Sequence, residues 1–135
     1  MNNCTAVQFR IARHTNKLKE VIHFYGEALG LKQIGSFQEH AGYDGVMFAL
    51  QGTTCHLEFT SNANGGTCAP PGRDNLLVLY FDTNENFRAA TERVEGFGHQ
   101  PVEPENVYWA SRGLTYEDPE GWRVVLYNGT YDAKD

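Results

Sequence analysis

The feature that most constrains this chain is an internal repeat. Two helix-stop glycines, Gly30 and Gly98, lie 68 residues apart, and two strand positions, Glu58 and Val125, lie 67 apart. A period of this length in a 135-residue chain leaves room for two copies of one unit and little else. The first copy opens with a strand over Ala6–Ala12. Apolar residues at Leu18, Val21, Ile22, Tyr25 and Leu29 then fall at helical spacing, with Thr15 or Asn16 placed as N-cap and Gly30 as the stop. Strands follow over Lys32–Phe37, Gly42–Leu50 and Thr53–Thr60, the last two joined by a tight turn at Gln51-Gly52. After the Gly-, Pro- and Asn-rich linker Ser61–Asp74 the pattern restarts. Asn75–Asp82 reads as a strand, and a helix capped by Asn84 carries Phe87, Ala90, Val94 and Phe97. Strands over His99–Val102, Gly113–Glu117 and Trp122–Tyr127 complete the copy.

Each copy therefore reads β-α-β-β-β, and the fold class is α+β. One domain spans residues 1–135, with unit one about 6–60, the linker about 61–74 and unit two about 75–128. A single helix covers one face of a four-stranded sheet, leaving the other face to be shared. Two such half-barrels are expected to face each other around a central cleft, where a small ligand would bind.

Composition narrows the partners. The formal net charge is −6 and the eleven Lys and Arg are scattered, which gives no basic stripe for nucleic acid, disfavours acidic partners and mildly favours a cationic ligand. Three cysteines without a C-x-x-C pair suit a reduced, cytoplasmic setting. No signal-peptide pattern opens the sequence, and no run approaches the roughly 20 apolar residues of a membrane span. Dinucleotide, Walker, G-x-S-x-G and H-E-x-x-H fingerprints are absent, and His14, His23, His40 and His99 show no mutual ligand spacing.

The polar residues of interest sit on strands. In TTCHLEFT, residues 53–60, alternation puts Cys55, Leu57 and Phe59 on the helix-covered face and Thr54, His56 and Glu58 on the other. A carboxylate turned inward requires a partner, and Arg10 on the first strand can supply one. If that pair is buried, removing either member is expected to cost about 3–5 kcal/mol. Glu58 and His56 are also the candidates for acid-base chemistry. Arg123 and Tyr127 share Val125's face of the last strand, with Arg123 either lining the cleft or solvated at the sheet end. Tyr108-Trp109 is either a stacking wall or core filling.

With these elements in place, the chain resembles the vicinal oxygen chelate superfamily, which includes glyoxalase I, bleomycin-resistance proteins and extradiol dioxygenases. The resemblance rests on Phe24-Tyr25 followed by Leu29-Gly30-Leu31, on His56-Leu57-Glu58-Phe59, on Tyr43–Met47 and on Asp118-Pro119-Glu120-Gly121. It covers residues 6–128. Metal-using members hold one divalent ion through the first and last strands of each unit, where it acts as a Lewis acid. Those positions carry over to Arg10, Glu58, Asn75 and Val125. Only Glu58 is a proper ligand, since arginine has no lone pair to give and valine has nothing.

The expectation is a protein without a catalytic metal that binds a small organic molecule through Arg10, His56, Glu58, Asn75, Trp109, Arg123 and Tyr127. One alternative is a lyase, isomerase or dioxygenase that uses a divalent metal or Glu58/His56 acid-base chemistry. Another is an antibiotic-sequestering resistance protein. Apolar residues near the first strands, Cys4, Phe9, Ile11 and Tyr80, make a homodimer the expected assembly.

Overall fold

A computed structural model describes residues 3–66, 68–69 and 72–132. The chain divides after Cys68 into two compact units. Residues 67, 70 and 71 of the expected linker Ser61–Asp74, and residues 1–2 and 133–135 of the expected domain, lie outside the described residues.

Unit one contains β1 (Phe9–His14), α1 (Leu18–Ile22), β2 (Lys32–His40), β3 (Tyr43–Ala49) and β4 (Cys55–Asn62). Its sheet runs β1-β4-β3-β2, with β1 parallel to β4 and the other pairs antiparallel. The first strand begins later than its apolar character suggests, and β4 runs two residues past Thr60. The helical segment changes hand-hold midway. After Ile22 it widens into π-helical turns over His23–Ala28, where Leu29 N–H donates to the Phe24 carbonyl at 2.8 Å.

This widening brings Val21, Phe24, Tyr25 and Ala28 onto the sheet as the buried stripe, in place of the expected Leu18 and Leu29. The Tyr25 ring lies 4.5 Å from that of Phe59, which fixes the helix-covered face of β4 as the one bearing Phe59. Gly26 is needed for this fit. A Cβ there would stand 3.0 Å from the Phe48 ring. Thr15 does not cap the helix directly; its hydroxyl accepts from Lys17 N–H at 2.9 Å and bends the chain into it. Gly30 ends the segment in the left-handed region, φ 75°.

Unit two contains β5 (Leu76–Phe81), α2 (Asn84–Gly96), a 3-10 turn over Val107–Ala110, β6 (Gly113–Glu117) and β7 (Arg123–Asn128). Its sheet is β5-β7-β6, with β5 parallel to β7. The cap of α2 is Thr83, whose hydroxyl accepts from Asn86 N–H at 3.0 Å, one residue before the expected Asn84. Phe87 and Val94 face the sheet as expected. Phe97 lies past the helix end and is exposed, while Thr91 takes a buried place in the stripe.

The strand expected over His99–Val102 does not form. Val102 makes one antiparallel bridge to Thr115, its N–H donating at 2.8 Å. Pro101 and Pro104 lack the N–H groups that would extend the ladder. The second unit is thus a β-α-β-β unit with a vestigial fourth strand, and neither sheet closes into a barrel. The Asp118-Pro119-Glu120-Gly121 motif is a turn built by Asp118, whose Oδ1 accepts from Glu120 N–H at 2.8 Å and Trp122 N–H at 3.0 Å. No helix among the described residues is long and apolar enough to cross a membrane.

Candidate functional site

The parallel register of β1 and β4 sets Arg10 beside His56 and Ala12 beside Glu58. Side chains at i and i+2 share a sheet face, so Arg10, His56 and Glu58 stand together on the face opposite the helix. Arg10 Nε–H donates to His56 Nε2 at 2.7 Å, and Arg10 Nη1–H donates to Glu58 Oε2 at 3.3 Å. The first contact fixes the chemistry of the imidazole. Nε2 must present a lone pair, so His56 is neutral with its proton on Nδ1. The burial is uneven: His56 is 8% exposed, the Glu58 side chain 16% and the Arg10 side chain 47%. The ion pair is therefore a partly solvated one, so the condition attached to the cost of about 3–5 kcal/mol, a buried pair, is not met. The histidine contact was not foreseen, although the shared parity of Arg10 and His56 was the signal for it. Met47 joins this face opposite Glu58, its methyl group lying over Gly35.

Unit two presents the corresponding face with different chemistry. Arg123, Val125 and Tyr127 pair with Leu76, Val78 and Tyr80. By register, the counterpart of Arg10 is Leu76, because Arg10 faces His56 two residues before Glu58 and Leu76 faces Arg123 two residues before Val125. Asn75 is displaced by one residue. It precedes β5, is exposed, and its Nδ2 donates to the Gly72 carbonyl at 3.2 Å in a turn. The structure does not put Asn75 at the β5 position that corresponds to Arg10, which Leu76 holds.

Arg123 is 4% exposed; its Nε donates to Glu117 Oε2 at 3.1 Å and its Nη1 to the Glu103 carbonyl at 2.8 Å. It ties the segment after α2 to the sheet, and the reading of a solvated sheet-end arginine is overturned.

Tyr127 and Trp109 do come together, within a larger aromatic group. Tyr108 lies parallel to Tyr127 at 6.5 Å, Trp109 is edge-on to Tyr127 at 5.7 Å, and Tyr80 packs edge-on to it at 5.5 Å. Arg112 sits over the Tyr127 ring, 5.9 Å from its centre. A hydrogen bond with Tyr127 raises the Tyr108 phenol above its ordinary pKa of 10.0. Tyr80 was missed as a member of this group; only the parallel β5–β7 register places it next to Tyr127.

The superfamily's metal does not fit these residues. His56 Nε2 is taken by a guanidinium, Val125 is a fully buried aliphatic side chain, and Asn75 precedes β5. Among the described residues no three His, Cys, Asp or Glu side chains gather as a ligand set.

The two-unit architecture is that of the vicinal oxygen chelate superfamily, the class of glyoxalases and of bleomycin- and fosfomycin-resistance proteins. An antibiotic-binding protein, TnmS3 from Streptomyces sp. CB03234, superposes with a TM-score of 0.67 at 18% identity, covering 96% of this chain and 100% of that one. That likeness shows the fold alone. Within the class, the YycE-like N-terminal domain model matches residues 9–60 and the YycE-like C-terminal domain model matches residues 74–128, so the chain belongs to the YycE-like family. The uncharacterised protein YycE of Bacillus subtilis (strain 168) is 50% identical over 123 residues, 91% of this chain and 88% of its own. A crystal structure of a YycE protein of unknown function from Bacillus subtilis gives a TM-score of 0.90 at 47% identity, covering 96% of this chain and 95% of that one.

Proposed function

We propose that this chain binds a small organic molecule on the Arg10–His56–Glu58 face, without a catalytic metal. The observation that carries the reading is the guanidinium itself. A permanent cation, hydrogen-bonded to His56 and Glu58, stands where metal-using relatives of the fold place ligands. A divalent ion beside it would be repelled, and the face instead offers a donor-rich centre flanked by an acceptor. Sequestration of an antibiotic is one form such binding takes. It needs no reacting group, and the antibiotic-binding protein TnmS3 has a similar fold.

Acid-base catalysis by His56 is less well supported, because its Nε2 lone pair is already engaged by Arg10. A homodimer in the cytoplasm completes the proposal. It is motivated by three free cysteines and by exposed Phe9 and Tyr80 at the first strands of the units. Sedimentation at micromolar concentration tests the dimer, a monomer near 15.2 kDa contradicting it.

The binding test is a fragment screen by ligand-observed NMR, followed by mapping on labelled protein. Hits are expected to shift the resonances of Arg10 and His56 and to be lost in Arg10→Met. Hits that map only elsewhere, or a silent screen, would overturn the binding reading.

A further inference from the structure

We propose that the Arg10 guanidinium recognises the carboxylate of an organic acid, so that the ligands of this face are anions. The inference rests on the binding reading above and specifies its ligand class. A guanidinium has five N–H donors. Two of Arg10's are engaged, Nε–H by His56 and one Nη1–H by Glu58, which leaves three that meet no described residue. A bidentate carboxylate needs two.

The geometry favours recognition over simple charge neutralisation. His56 holds the Nε edge as a neutral acceptor, so it orients the guanidinium without spending its charge. Glu58 meets a single nitrogen at 3.3 Å, a long and monodentate contact compared with a fork-to-fork pair. The guanidinium is thus aimed at its stem side and open at its outer nitrogens. With 47% of the side chain exposed, those nitrogens are reachable from solvent.

The acidic balance of the whole chain does not oppose this. A net charge of −6 is spread over the surface and screened beyond about 10 Å, whereas the guanidinium acts at contact distance. Unit two offers no rival at the equivalent place, since Leu76 stands there and Arg123 is buried under its own partners.

The probes are two pairs that differ only in charge: benzoate against benzamide, and cyclohexanecarboxylate against cyclohexanecarboxamide. Dissociation constants come from calorimetry on the full chain, and contact is read from the Arg10 Nε resonance. Each acid is expected to bind about tenfold or more tightly than its amide and to move that resonance. Arg10→Lys keeps the charge but loses the fork, and is expected to lose most of the preference. Glu58→Gln removes the resident competitor, and is expected to raise the preference for each acid over its amide about three- to tenfold.

Equal binding of acid and amide, or a preference that survives Arg10→Met, overturns the inference, as does failure of both pairs to bind. Amides that bind where acids do not leave the small-molecule reading standing and remove only the anion.

Discussion

At Arg10 one guanidinium serves two acceptors in different surroundings, and the energetic consequences differ. The contact to Glu58 is half in water on the arginine side, so the ion pair contributes only about 0.2–1 kcal/mol, well below the 3–5 kcal/mol of a buried pair. The contact to His56 ends on a nitrogen of a residue that is almost fully buried. Removing the donor leaves that lone pair without its protein partner, at a cost of about 1–3 kcal/mol. Urea unfolding of Arg10→Met, His56→Phe, Glu58→Gln and the two doubles is expected to show coupling between Arg10 and His56 that exceeds that between Arg10 and Glu58. Additive losses for the arginine and histidine changes would show that the 2.7 Å contact carries no stability. Strand alternation alone made it legible that Glu58 and His56 share the sheet face opposite the helix. It could not reveal that arginine reaches both, because that depends on the parallel register of strands 46 residues apart in the chain.

The same limit operates among the elements. Helices and hairpins were readable because their signals are local: apolar spacing, a cap, a glycine past the end. Asn75 was misplaced because the two units differ by one residue between the first strand and the last, and one residue reverses a strand's faces. His99–Val102 was misread because its β-forming valine outweighed its proline, Pro101, in a short window.

Two elements of unit two carry predictions. The Tyr116 hydroxyl donates to Glu95 Oε2 at 2.7 Å, pinning α2 to β6. Burial first, and then the carboxylate, raise this phenol well above its ordinary 10.0. The folded state therefore keeps a proton that the unfolded chain releases. Stability from this tyrosine is complete below pH 10 and declines as pH climbs through the folded-state value, by at most about 1.4 kcal/mol per pH unit. Tyr116→Phe is expected to flatten that part of the alkaline profile and to cost about 1 kcal/mol at neutral pH. An unchanged alkaline slope would contradict the assignment.

The second element is β6 at Gly113. A Cβ there would stand 2.7 Å from the Trp109 carbonyl oxygen, which is backbone and cannot rotate away. Gly113→Ala is expected to cost about 1–3 kcal/mol and to displace the turn bearing Tyr108 and Trp109. Tryptophan fluorescence and a denaturant midpoint measure both, and an unperturbed spectrum at wild-type stability would show that the turn yields freely.

For the molecule as a whole, duplication has not meant duplicated chemistry. Unit one keeps a charged, hydrogen-bonded centre, while unit two has an aliphatic pair, a buried structural arginine and an aromatic group at the matching strands. Superfamily metal chemistry draws on both units, and here the matching strands of unit two carry Leu76 and Val125 in place of donors. Zinc, manganese, nickel, cobalt or iron(II) is accordingly expected to leave the melting temperature unchanged. A native-state ligand at 100 times its dissociation constant would add about 2.7 kcal/mol, easily visible in a melting curve. A rise of several degrees that Glu58→Gln abolishes would restore the metal site.

The parallel pairing of β1 with β4 also sets when this centre exists. The β2–β3 and β3–β4 hairpins close over short turns, but Arg10 meets His56 only after a loop of 46 residues has been drawn shut. Closing such a loop is the slow, entropically costly kind of event in folding, and none of it is possible until β4 has left the ribosome. The Arg10–His56 bond thus marks completion of the first unit, and a nascent chain that can bind ligand on this face has already finished folding it.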